Sequence, residues 1–260
     1  MAAACSLLVD TGGLESNDAP PVNDSGAAPN DASDAAVIFE VSTDAPPDDS
    51  PAAPGCDSIV SDDFDHVDLG TNWSAVTTNG GTAVLTTATY VSGPKALEIT
   101  LTPTSPTATP SVYLGRTFTK RKRVCCRFAV DADDAENGNT HHLFKLLGDG
   151  GNYDIVFTEE DGQLEIVEAH YSTTNPSFTH SFPKTTAPTG WKHIRFEAAL
   201  PAGTGVGSFS LRIEDVVVVQ GDLGTDIDDL SYDEVHFGSD YTQGAMERKL
   251  RYDDVGCGTF

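Results

Sequence analysis

Four polar side chains fall where strand alternation turns them away from a core. In Phe144-Lys145-Leu146 the lysine points opposite to its two apolar neighbours. In Trp191–Glu197 the residues Ile194 and Phe196 point inward, so His193 and Arg195 point out, and Glu165 is expected to join them from a neighbouring strand. Lys145, Glu165, His193 and Arg195 are thus expected to line one surface, with the residue types that proton transfer and charge neutralisation need. The plainer expectation for the same four is a hydrated sheet face. Tyr153, Tyr171 and Tyr241 lie near turns and are read as exposed rings for stacking against sugar. A retaining glycosidase needs two carboxylates about 5 Å apart. The nearest pair, Glu165-Ile-Val-Glu168, is three residues apart on a strand, which sends the two to opposite faces.

Other motifs exclude more than they assign. Gly-x-Ser-x-Gly and His-Glu-x-x-His are absent from the sequence. Gly203-Thr-Gly-Val-Gly207 has the wrong spacing for a dinucleotide loop and reads as a turn. His141 and His142 are strand neighbours that diverge, so they do not chelate one ion together. Calcium is the one cofactor to weigh, because Asp131–Asn137 and Asp226–Asp229 are acidic loops; neither follows the twelve-residue calcium-loop pattern, and solvated charge is the expectation. The basic run Lys120–Arg123, with Arg127, could meet an anionic polysaccharide, but protection of a strand edge or loop is the expectation.

The elements that position these residues occupy only part of the chain. No lysine or arginine precedes Lys95, while the same stretch carries 15 Asp/Glu, ten of them before residue 57. Residues 1–56 are crowded with Ala, Pro, Asp, Ser and Asn, and Ala35–Phe39 is their one apolar patch after the first residues. A segment so poor in apolar surface and so uniformly charged is expected to stay disordered. As a tether of about 45 residues it reaches some 35–40 Å or more. The net charge of −25 argues against nucleic acid and against adsorption to an anionic membrane. Met1-Ala-Ala-Ala-Cys5-Ser6 resembles the cleavage box of bacterial lipoproteins, although Ala2 stands where that box usually has Leu. That resemblance implies a lipid on Cys5 as the chain's only membrane attachment. It also implies a true start upstream of Met1, since a signal peptide needs basic and apolar regions before the box.

From Ser61 onward the pattern has period two, with Gly, Pro, Asn and Asp clusters at short spacing. Strands are predicted near 62–64, 82–86, 96–101, 112–118, 124–130, 142–147, 153–157, 164–169, 191–197, 209–213, 216–220, 234–237 and 249–255, with at most one helical turn near Asp226–Leu230. The fold class is all-β: a two-sheet antiparallel sandwich over residues 57–260, preceded by the disordered acidic leader. Several segments together resemble the concanavalin A-like jelly roll in its laminin-G-like form. They are Asp62-Asp-Phe-Asp65 followed by Trp73, Trp191–Phe196, Phe209–Val218 with a hairpin turn at Glu214-Asp215, Val235–Gly238, and Arg251-Tyr-Asp-Asp-Val255. Proteins of that fold include lectins, glycosidases, lyases and adhesion modules, so fold alone does not give function. The glycosidase signature of the family, Glu-x-Asp-x-x-Glu, is missing here. Its lyases use His, Tyr and Arg/Lys on one sheet, which is the type of set that His193 and Arg195 belong to.

Setting Cys5 aside leaves Cys56, Cys125, Cys126 and Cys257. An exported protein would oxidise them. The resemblance implies a Cys56–Cys257 bridge first, because the first and last strands of a jelly roll lie close together. The rival scheme joins Cys56 to Cys125 or Cys126, which should point to opposite faces of their strand. The function expected is a non-catalytic exported or cell-surface binding or adhesion module that contacts a glycan or another surface protein. The alternative is a lyase or glycoside hydrolase acting on an extracellular polysaccharide.

Overall fold

The computed structural model describes residues 56–105, 107–132, 140–171, 177–201, 203, 205–224, 230–244 and 246–260. The leader with Cys5, the greater part of the 131–137 loop and the 226–229 segment lie outside the described residues. Asp131 itself is described and is held by Arg251 at 2.9 Å.

The fold is a two-sheet antiparallel jelly-roll sandwich. In chain order the strands are β1 (Val60–Asp62), β2 (Ala75–Asn79), β3 (Gly81–Thr86), β4 (Ala96–Leu101), β5 (Ser111–Arg121) and β6 (Arg123–Ala132). They continue as β7 (Thr140–Gly148), β8 (Tyr153–Glu160), β9 (Gln163–His170), β10 (Phe178–Ser181), β11 (Thr185–Thr186) and β12 (Lys192–Ala199). The last are β13 (Gly207–Ile213), β14 (Val216–Leu223), β15 (Tyr232–Ser239), β16 (Thr242–Gln243) and β17 (Arg248–Gly258). The eight-stranded sheet runs β14-β13-β12-β6-β17-β4-β3, with β1 on β17. The nine-stranded sheet runs β10-β9-β8-β7-β15-β5-β2, with β11 on β9 and β16 on β7.

Alternation supplies the core. In β12 the inward Ile194, Phe196 and Ala198 are buried, while His193 and Arg195 face out. Phe144, Phe157 and Phe196 meet Phe128 and Phe237 in one aromatic cluster, with centroid distances from 4.9 to 5.9 Å among the contacting pairs. Edge-to-face and offset pairs at this range add to the burial of their area. The β13–β14 hairpin turns on Glu214 and Asp215, both at positive φ (49° and 63°), the backbone that a tight two-residue hairpin requires.

Two disulfides pin the eight-stranded sheet, and they correct the expected Cys56–Cys257 bridge. The pairs are Cys126–Cys257 and Cys56–Cys125. β17 lies directly beside β6 with Cys257 opposite Cys126 in register, so these two side chains meet inside. Ile59 N donates to Cys257 O, and Cys56 carries on past the end of β17 to reach Cys125 on the other side of β6. Asp57 follows it across and pairs with Arg127 at 3.0 Å over Gly256, where an added Cβ would stand 2.1 Å from Asp57 Oδ1.

Candidate functional site

The outward face of the nine-stranded sheet carries a compact charged cluster. Lys145 on β7 projects between two carboxylates, with Nζ 2.9 Å from Asp240 Oδ2 and 3.1 Å from Asp154 Oδ2. Asp154 belongs to the neighbouring strand β8, and Asp240 follows the end of β15 on the other side. The second Asp240 oxygen meets His142 Nδ1. His236 lies opposite Lys145 in register, under the stacked ring of Tyr113 at 4.0 Å, with Nε2 2.9 Å from Glu234 Oε1. Because a carboxylate only accepts, Nε2 of His236 carries the proton and Nδ1 is left as an acceptor. That Nδ1 and Asp154 Oδ1 are buried and have no hydrogen-bond partner among the described residues.

Burial and charge act on these groups in different directions. Burial works against ionised Lys145, but Asp240 and Asp154 outweigh it and raise its pKa. Burial likewise opposes the Asp240 charge, yet His142 and Lys145 together hold it well below the usual carboxylate range. For Asp154 burial wins over Lys145, and the pKa goes up. Burial lowers His236 despite Glu234, which keeps the ring neutral. Two aromatic rings flank the cluster. Tyr171, which follows β9, is 55% exposed, and its hydroxyl is pushed up by burial first and then by the Asp154 charge. Tyr241 is 36% exposed, and its ring lies 5.3 Å from that of His142. The site therefore presents the partly exposed Lys145–Asp240 pair on a rigid sheet beside two rings, polar groups and apolar planes of the kind that hold a polyhydroxylated ligand.

The four outward residues do not share one surface. Lys145 and Glu165 are on the same face of the nine-stranded sheet, with Glu165 at its margin, 3.6 Å from Lys184. His193 and Arg195 lie on the other sheet, where Glu214 and Glu197 hold them at 3.7 and 2.7 Å. Alternation predicts in or out within a strand but not the sheet that the strand joins, and β12 lies in the sheet opposite β7 and β9. Tyr153 is also misplaced, because its strand begins one residue after the turn and its ring falls on the inward phase. It is fully buried and donates to Glu168 Oε1 at 2.7 Å. The residues that sequence reasoning missed are His142, Asp154, His236 and Asp240. Asp154 and His236 have their signal in the alternation of β8 and β15, whereas Asp240 enters from a turn that no period marks. His141 and His142 do diverge: His141 is buried beside Glu159 and Arg248, and burial pushes it down to about 3.

Together these features define a concanavalin A-like jelly-roll sandwich with a polar, tyrosine-flanked cluster on one sheet. Among solved structures the chain is similar to the cellulose-induced protein Cip1, with a TM-score of 0.59 at 15% identity over 77% of this chain and 97% of that one. It is also similar to alginate lyase A1-II′ of polysaccharide lyase family 7 (TM-score 0.47, 12% identity, 65% and 82% covered). A third is the carbohydrate esterase vb_24B_21 of bacteriophage phi24B (TM-score 0.48, 16% identity, 71% and 89% covered). The first of these likenesses establishes the fold. No family model and no curated protein matches the sequence.

Proposed function

We propose that the protein is a non-catalytic, exported carbohydrate-binding module that receives a neutral glycan on the outward face of its nine-stranded sheet. The observation that carries this reading is the Lys145–Asp154–Asp240 cluster between exposed Tyr171 and Tyr241. Its one ammonium is already balanced by two carboxylates, so the cluster has no net positive charge to draw an anionic ligand. A net charge of −25 adds a general repulsion of anionic polymers. Likeness to a protein described as cellulose-induced agrees with a carbohydrate-linked role. Two disulfides suit an oxidising, extracytoplasmic compartment. Within this reading Cys5 takes a lipid and the acidic leader spaces the domain from a membrane; incorporation of a radiolabelled fatty acid, lost in Cys5→Ser, tests that part.

The deciding experiment is a glycan array spanning neutral and acidic glycans, with and without calcium, with new reducing or unsaturated ends monitored alongside. Binding to neutral glycans without turnover, weakened at least tenfold in Tyr171→Ala, is expected. A second reading, a polysaccharide lyase, rests on the contact of His142 with Asp240, which orients the imidazole as a general base with Tyr171 and Lys145 nearby. Release of unsaturated ends that disappears in His142→Ala would establish it and displace the first reading.

A further inference from the structure

The opposite sheet carries a separate hollow of about 540 Å³. Two cross-strand rungs build it. One runs Arg123, Ala199, Ser208, Asp222 across β6, β12, β13 and β14; the next runs Glu197, Ser210, Gln220 across the last three of these. The hollow exists because the middle of the face is made of Ala and Ser, while the longer Arg123, Glu197, Gln220 and Asp222 stand around it. Phe260 closes one side, with the Arg123 guanidinium 4.4 Å from its ring centroid.

We propose that this hollow is a second carbohydrate-binding site, for a neutral oligosaccharide, on the face of the sandwich opposite the Lys145 cluster. Its size lies in the range of small-molecule sites, about 300–1,000 Å³. Two serine hydroxyls, the Gln220 amide and the Glu197 and Asp222 carboxylates converge on it, and they can both donate to and accept from sugar hydroxyls. Glu197 and Asp222 stand against Arg123, and Arg195 neutralises Glu197, so the hollow carries no net positive charge to draw an anionic ligand. Phe260, 41% exposed, supplies the apolar plane on which the C–H face of a pyranose rests. Glu197 is held in place by Arg195, with Oε1 2.7 Å from Nη2. The groups sit on strands rather than on loops, so little ordering is needed on binding. Arg195 thereby gains a positioning role at this hollow, away from the surface first expected for it. Two sites facing opposite ways would let one domain cross-link two glycan chains.

The hollow does not depend on the first site, and an amide-resolved NMR titration with cellohexaose, xylohexaose and mannohexaose separates the two. Saturable shifts at the amides of residues 208–210 and 220–222 with at least one of the three are expected. Ala199→Trp, which fills the hollow from an outward position, and Gln220→Ala, at the edge strand, should each weaken that binding at least tenfold. Tyr171→Ala should leave these shifts in place. Absence of shifts at the hollow with all three sugars at millimolar concentration overturns the proposal, as does unchanged affinity in both hollow variants. Shifts confined to the Lys145 face overturn the second site while sparing the first.

Discussion

Lys145 Nζ lies 2.9 Å from Asp240 Oδ2, and this pairing sets the stability of the cluster as well as its chemistry. Both side chains are largely buried, at 16% and 17% exposure, so removing the cation strands two carboxylates in a desolvated place. Lys145→Met is expected to cost about 3 kcal/mol, as for other broken buried pairs. Since the folded pKa of Lys145 is raised, its contribution is complete below its ordinary value of 10.5 and is lost as pH rises through the folded value. Asp240, being lowered, contributes above its ordinary 3.8 and loses that contribution as pH falls through its folded value. Asp154, being raised, acts in the opposite sense and blunts the acid limb. Urea midpoints measured between about pH 8 and 12 should therefore show the gap between wild type and Lys145→Met closing on the alkaline side. A gap constant over that range would mean the ammonium is not what holds the cluster.

A second buried carboxylate organises the entry to the domain. Asp62 accepts from Trp73 Nε1 at 2.8 Å and from Phe64 N at 2.8 Å, and it meets His66 Nε2 at 2.7 Å. These contacts hold Phe64, a fully buried residue, at a φ of 58°. Asp62→Ala leaves an indole N–H and a backbone N–H without an acceptor and should cost about 3 kcal/mol or more. Trp73→Phe keeps the stacking surface and loses one bond, so about 1–2 kcal/mol is expected. Denaturant unfolding followed by near-ultraviolet circular dichroism reads both, and the order of the two losses is the part of the prediction most open to failure.

The strands were largely legible in the sequence, and their layers were not. Ala96–Leu101 is predicted to its ends, and the twelve other segments overlap observed strands, the first by Asp62 alone. The segments missed were β2, β10, β11 and β16, which are short or weakly patterned peripheral strands. Ala75-Val-Thr-Thr-Asn79 is mostly exposed on both phases, so no apolar alternation marks it. The Glu214-Asp215 turn and the outward phase of His193 and Arg195 follow from local rules. Which of two sheets a strand joins is fixed by long-range pairing, and no local period encodes it. For that reason Lys145 and His193 share an outward phase and yet face opposite ways.

The cysteine pairing has a direct chemical check. In a Cys5→Ser background, Cys56→Ser/Cys125→Ser should expose no thiol on denaturation, because the Cys126–Cys257 bridge stays closed. Cys56→Ser/Cys257→Ser should instead expose two, at Cys125 and Cys126. With sequence separations of 69 and 131, the bridges contribute about 4 and about 5 kcal/mol in the chain-entropy model. Thiol titration in guanidinium gives the counts, and two thiols in both variants would restore the Cys56–Cys257 scheme.

Tyr153 opens β8 and Tyr171 follows β9, its hairpin partner, yet the two belong to different parts of the molecule, and paired substitutions should separate them. Tyr153 is inside, with its hydroxyl on Glu168, a carboxylate whose pKa burial raises. Tyr153→Phe keeps the ring and removes that bond, so a stability loss of about 1–3 kcal/mol with unchanged glycan affinity is expected. Tyr171 is 55% exposed beside Asp154, so Tyr171→Ala should leave the unfolding midpoint almost unmoved and weaken glycan binding at least tenfold. His193→Ala and Arg195→Ala, on the other sheet, should leave binding at the Lys145 face untouched. Isothermal titration with the best array ligand, run beside thermal unfolding of the same variants, distinguishes the cases. If Tyr153→Phe weakened binding as much as Tyr171→Ala did, the ligand would have to be reaching through the sheet, and the outward cluster would lose its standing as the site.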